Sequence, residues 1–128
     1  MAMPKVMLIE DNASLRDLMA FLLQMEGFEV VFGPTQPEAV LEALHRTRPD
    51  VVIMDVHLRG HQATGLEVVR AVRQDDALRG VRFMLISGMD YSREAAQSGA
   101  DAFLSKPFMG DELIAKVRSL VQAPPSVT

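Results

Sequence analysis

The chain has no cysteine and no tryptophan. Without thiols it can form neither disulfides nor thiolate-bound metal centres, which fits a reducing compartment. Aromatic residues make up 5% of the chain, too few for a platform on which bases could stack. Basic residues form no run, and the net charge is −4. A duplex-binding surface is usually basic, so direct nucleic-acid binding is not expected. The apolar runs are a few residues long, far short of the roughly 20 needed to cross a bilayer. The start, Met1-Ala2-Met3-Pro4-Lys5, lacks the long apolar stretch of a secretion signal. The expectation is a soluble cytoplasmic protein with no membrane contact.

What is present suits one domain. The chain has 128 residues, 48% of them apolar, enough for a core that needs no covalent staples. Short apolar runs alternate with segments of helical period. Val6 to Ile9, Phe28 to Phe32, Val51 to Met54, Phe83 to Ile86 and Ala102 to Ser105 read as strands. Leu15, Leu18, Met19, Leu22 and Leu23 repeat as one helix face, with Gly27 placed to end the helix. Thr35 and Glu38 form a candidate capping box ahead of Val40, Leu41 and Leu44. Leu66, Val69 and Val72 mark a third helix, Tyr91 to Gln97 a short polar fourth, and Leu113 to Val121 a fifth. Five βα units imply an α/β fold with a parallel sheet covered on both faces and right-handed crossovers. Residues 1–123 are read as one domain and 124–128 as a tail or the start of a linker. The nine methionines lie mostly in apolar runs and read as core filler.

In an open α/β sheet, ligands bind beyond the carboxyl ends of the strands. The first strand runs into Glu10-Asp11, the third into Asp55, the fourth into Ser87-Gly88 and the fifth into Lys106-Pro107. Carboxylates converging there repel one another unless one holds a proton or a hard divalent cation such as Mg²⁺ binds among them. A lysine and a hydroxyl nearby add the cation and donor that a phosphoryl group needs. Asp55 is a carboxylate able to attack phosphorus. Taken singly, each piece has a plainer reading: Asp55 as a turn residue, Glu10-Asp11 as a helix start, Ser87-Gly88 as turn chemistry, Lys106 as a solvated charge. Their occurrence together at one sheet edge favours a site.

The ordered set Glu10-Asp11, Asp55, Ser87 and Lys106-Pro107-Phe108, with the run Gly99 to Phe108, resembles the signature of response-regulator receiver domains over nearly the whole chain. The resemblance implies a doubly wound, flavodoxin-like (βα)5 fold with strand order 2-1-3-4-5. It implies that Asp55 accepts phosphate from a histidine kinase or histidine phosphotransfer protein. Asp11, Asp55 and the backbone carbonyl of His57 would bind Mg²⁺, with Glu10 helping through water. Ser87 and Lys106 would hold phosphoryl oxygens, and Phe103 would be the switch aromatic that follows Ser87. The peptide into Pro107 would be cis. The output would be contact with a downstream protein, and the domain would be a regulatory acceptor rather than an enzyme with a separate substrate.

Other readings and departures remain. An Asp-nucleophile phosphohydrolase of the haloacid-dehalogenase type would want an acid where His57 stands. An unphosphorylated interaction module would show a degraded acid pocket, and a flavin-binding variant a phosphate-cradling loop after the first strand. His57 and His61 are spaced for a metal but lack a clear third ligand. His45 reads as a surface residue. The loop from Val56 to Gly65 is longer than usual by about two residues, with Arg59 where many receivers carry proline. The segment between Ser87 and Lys106 is shorter by about three residues, close to one helical turn. The fourth helix is therefore expected to be truncated, and a homodimer through the face it helps to form is left open.

Overall fold

The apolar runs Val6–Ile9, Val51–Met54 and Phe83–Ile86 become central strands buried on both faces, while those at Glu29–Phe32 and Ala102–Ser105 lie at the sheet edges and are only partly covered. The computed structural model describes residues 3–58 and 64–122. Its elements are β1 (Lys5–Ile9), α1 (Ala13–Met25), β2 (Glu29–Phe32), α2 (Pro37–Thr47), β3 (Val51–Asp55), α3 (Gly65–Arg73), β4 (Arg82–Ser87), α4 (Ser92–Ser98), β5 (Ala102–Ser105) and α5 (Gly110–Gln122). All strand pairs are parallel, in the order β2-β1-β3-β4-β5. Along β1, β3 and β4, alternate residues serve opposite layers. Met7, Ile9, Val52, Met54, Phe83 and Leu85 meet Val40 and Leu44 of α2 and Val69 and Val72 of α3. Val6, Leu8, Val51, Ile53, Met84 and Ile86 meet Met19 and Leu23 of α1 and Leu113 and Val117 of α5. Each such side chain contributes ~2 kcal/mol on full burial, so this layering dominates the energetics.

Local signals differ from expectation at three helix starts. The first helix is capped by Asn12, whose Oδ1 accepts the Leu15 amide at 3.1 Å. Asn12 does the work assigned to Glu10-Asp11 in the plainer reading. The capping box at Thr35 and Glu38 does not form: Gln36 is the cap residue, with no side-chain bond. Pro37 opens that helix instead, since its fixed φ suits the first position and it has no amide to satisfy. Tyr91 precedes α4 rather than starting it, and β2 begins at Glu29 rather than Phe28. Helix α4 has seven residues, the truncation expected from the short segment.

Gly65 decides how α3 meets the sheet. A Cβ there would lie 2.8 Å from the carbonyl oxygen of Asp55, and the Gly65 amide donates to the Val56 carbonyl at 2.7 Å. Only glycine allows the helix to start this close to the end of β3. Residues Arg59 to Ala63, including His61, and the tail beyond Gln122 lie outside the described residues. The expectations about the long loop, the His57–His61 pair and the domain's end rest there.

Candidate functional site

Parallel strands of similar length end together, so residues far apart in sequence meet at one edge. A cleft of about 400 Å³ is lined there by Glu10, Asp11 and Asn12 beyond β1, Asp55 and His57 at the end of β3, Ser87, Gly88 and Met89 at the end of β4, and Lys106 beyond β5. Lys106 Nζ donates to Asp55 Oδ2 at 2.5 Å and to Glu10 Oε1 at 2.9 Å. The second Asp55 oxygen, Oδ1, accepts the backbone amide of His57 at 3.0 Å. Glu10 Oε2 accepts the Asn12 amide at 3.0 Å. Ser87 Oγ accepts the Met89 amide at 3.1 Å.

Glu10, Asp55 and Ser87 are all buried, at 2%, 7% and 3% exposure, which makes them unusual polar residues for their depth. Burial pushes the Glu10 carboxyl up from its ordinary value; the Lys106 and Asn12 bonds pull against this, and the nearby Asp55 charge adds to the rise. Burial tends to lower the Lys106 ammonium, but its bonds to Asp55 and Glu10 outweigh that, and the net direction is upward. Lys106 is the only lysine or arginine among the described residues lining the cleft, against three carboxylates. Among the described residues, no group of three or more His, Asp and Glu has the arrangement of a preformed metal centre. A Mg²⁺ site does not need one, because that ion keeps several waters and takes only one or two carboxylates.

The structure brings Glu10, Asp11, Asp55, Ser87 and Lys106 to one cleft, and the Lys106–Pro107 peptide is cis. Phe103 lies apart from the lining. It sits on β5 opposite Leu85, partly buried against the layer under α2 and α3. The His57 ring turns to Tyr91, with Nε2 2.9 Å from the phenol oxygen. Sequence reasoning missed that contact, and it missed Asn12 and Met89 in the lining. Asn12 had a signal, as a strong cap residue just before a helical period; Met89 and the Tyr91 contact had none beyond nearness to Ser87.

A family model for the response regulator receiver domain matches residues 6–118. The chain belongs to that family. This receiver domain is 32% identical over 120 residues to the DNA-binding response regulator MtrA of Mycolicibacterium paratuberculosis, covering 90% of this chain and 50% of the relative. It is 32% identical over 123 residues to the sensory transduction protein RegX3 of Mycolicibacterium smegmatis, covering 94% of this chain and 51% of the relative. The chain thus spans about half the length of these curated relatives. The chemotaxis response regulator CheY4 of Vibrio cholerae superposes with a TM-score of 0.82 at 27% identity, over 93% of this chain and 99% of that one. The domain is therefore a regulatory unit of two-component, phosphorylation-based signalling. Proteins of this family work with histidine kinases. No helix among the described residues is long and apolar enough to cross a membrane.

Proposed function

We propose that Asp55 is the residue that takes the phosphoryl group, from a histidine kinase or a histidine phosphotransfer protein. The observation that carries this reading is the Lys106 ammonium shared between Asp55 and Glu10 at 2.5 and 2.9 Å. It joins groups separated by 51 and 96 positions in the sequence, at a cleft open to a donor. In the transfer, an Asp55 oxygen attacks phosphorus, the phosphorus–nitrogen bond to the donor imidazole breaks, and the imidazole leaves with the electron pair. Both Asp55 oxygens already have partners, so the attacking one must give up its bond. If that oxygen is Oδ2, Lys106 is freed to pair with a phosphoryl oxygen.

The cleft's donors are oxygens, suited to a hard cation. Asp11, Asp55 and the His57 carbonyl would hold Mg²⁺, with Glu10 acting through water, and the ion would offset charge on the phosphoryl oxygens. The Ser87 hydroxyl, which now accepts the Met89 amide, would turn its proton to a phosphoryl oxygen. Phe103 would then move inward and change the surface presented to a downstream protein. Hydrolysis of the acyl phosphate by water resets the domain. A phosphohydrolase of the haloacid-dehalogenase type would want an acid two residues after the nucleophile, where this chain has His57, and the intact acid pocket argues against an unphosphorylated module.

The test is intact-mass measurement after incubation with a small acyl-phosphate donor and Mg²⁺. The expected result is one added phosphoryl group, absent in Asp55→Asn. Undiminished labelling of Asp55→Asn would overturn the assignment.

A further inference from the structure

Tyr91 is the chain's one tyrosine, and it sits between the cleft and α4. Its hydroxyl lies 2.9 Å from His57 Nε2, and the two rings meet edge to face with centroids 5.3 Å apart. The Tyr91 carbonyl accepts the Ala95 amide at 2.7 Å, closing the first turn of α4. Tyr91 is also partly buried against the apolar layer beside that helix. At its other end, His57 touches the acceptor directly: its amide holds Asp55 Oδ1 at 3.0 Å. One residue thus contacts Asp55 through its backbone and the start of α4 through its side chain.

The two ends of α4 are held differently. At its carboxyl end, Arg73 Nε donates to the Gly99 carbonyl at 2.9 Å, and the same guanidinium binds the Val81 carbonyl and the Asp101 carboxylate. At the amino end Tyr91 makes no side-chain cap bond to the helix. Among the described residues its polar tie to the cleft is the bond to His57; Asp90 Oδ1 accepts the Ser92 amide at 3.0 Å and the Ser92 hydroxyl at 2.6 Å, a local turn that does not reach the cleft. A seven-residue helix is too short to hold itself by propensity, so that bond matters to where α4 begins.

A phosphoryl group on Asp55 brings ~2 negative charges close to the imidazole. A hydrogen bond to an anionic oxygen is roughly twice as strong as one to a neutral phenol. We propose that His57 is a positioning residue that couples the cleft to α4. In the unphosphorylated domain its ring is held by Tyr91; in the phosphorylated domain it turns to a phosphoryl oxygen and releases Tyr91, freeing the amino end of α4 while Arg73 retains the other. This coupling runs beside the Ser87–Phe103 route and rests on Asp55 being the acceptor.

The lone tyrosine supplies the readout, because the chain has no tryptophan and, with excitation beyond the absorption of phenylalanine, its intrinsic emission comes from Tyr91. A phenol hydrogen-bonded to imidazole is quenched. The experiment treats the full chain with an acyl-phosphate donor and Mg²⁺, follows emission, and maps the phosphate by mass spectrometry in the same sample. Emission should rise on phosphorylation of the wild type. In His57→Leu it should start at the raised level and stay there. In Tyr91→Phe, amide exchange across Ser92–Ser98 should quicken about five-fold before phosphorylation, the factor carried by one hydrogen bond of average strength, and phosphorylation should add nothing. Phosphate on Asp55 with unchanged wild-type emission overturns the coupling and leaves the acceptor intact, as does an equal rise in His57→Leu. No phosphate on Asp55 overturns the acceptor assignment, and the coupling with it.

Discussion

Two ion-paired carboxylates, at opposite ends of the same sheet, show what separates a site from a brace. Asp101, just before β5, meets Arg73 Nη2 at 2.8 Å, the Phe83 amide at 2.8 Å and Arg82 at 3.9 Å. Arg73 in turn satisfies the Val81 and Gly99 carbonyls and lies over the Phe83 ring at 5.4 Å. Here cations outnumber the acid, and the groups knit α3, β4 and the start of β5 together. At the carboxyl edge the ratio reverses: Glu10, Asp11 and Asp55 share a cleft with Lys106. An excess of acid leaves room for a cation and a reason to bind one. Depth and charge balance both separate the two ends: the Glu10 and Asp55 side chains are 1% and 11% exposed, that of Asp101 21%.

The largest effect that would test this contrast is on stability. Arg73→Ala leaves two carbonyls and Asp101 short of donors and is expected to lower the unfolding free energy by ~3 kcal/mol. Lys106→Ala should cost less, ~1 kcal/mol, because the buried Glu10 carboxyl it leaves, already pushed up from its ordinary value, can take a proton instead of staying an unpaired charge, while sharply weakening the response to phosphorylation. Urea unfolding of both variants decides it; equal losses would erase the distinction. Next, Mg²⁺ at about ten times its dissociation constant should stabilise the wild type by ~1.4 kcal/mol through mass action, and stabilise Asp55→Asn much less. Thermal melts with and without the ion would show this, and an equal gain in both would place the ion elsewhere.

A smaller effect separates Glu10 from Lys106 by pH. The Glu10 carboxyl is raised in the fold by burial, so its contribution to stability is full below its unfolded value of 4.5 and declines as pH rises through the higher folded value. Glu10→Gln should remove that decline, its stability relative to wild type growing with pH by under ~1 kcal/mol. A difference that stays flat across the acid range would count against it. Smallest is the alkaline limb. The Lys106 ammonium is raised by Asp55 and Glu10 despite burial, so its contribution is present below its unfolded value of 10.5 and lost as pH climbs through the higher folded one. That loss should be missing in Lys106→Ala when unfolding is followed above that value.

The alternation of apolar strands with helical periods determined the fold class, because strands buried on both faces read as unbroken apolar runs; the truncation of α4 was legible only against the spacing that the family resemblance implies. The strand order and the cast of the cleft came through resemblance, position by position along strand ends. Helix starts were less legible. Asn12 and Pro37 took roles that Glu10-Asp11 and Thr35 also had the chemistry to fill, and only packing chose between them. The sequence by itself thus determined which residues stand at the carboxyl edge, since a parallel sheet puts every strand's end on the same side. What the tertiary structure alone decided is which of them touch: Lys106 bridging two acids, and His57 turning its ring to Tyr91 while its amide holds Asp55. Strand periodicity specifies direction and face, but a side chain's partner depends on neighbours brought in from distant segments, and no local pattern encodes those.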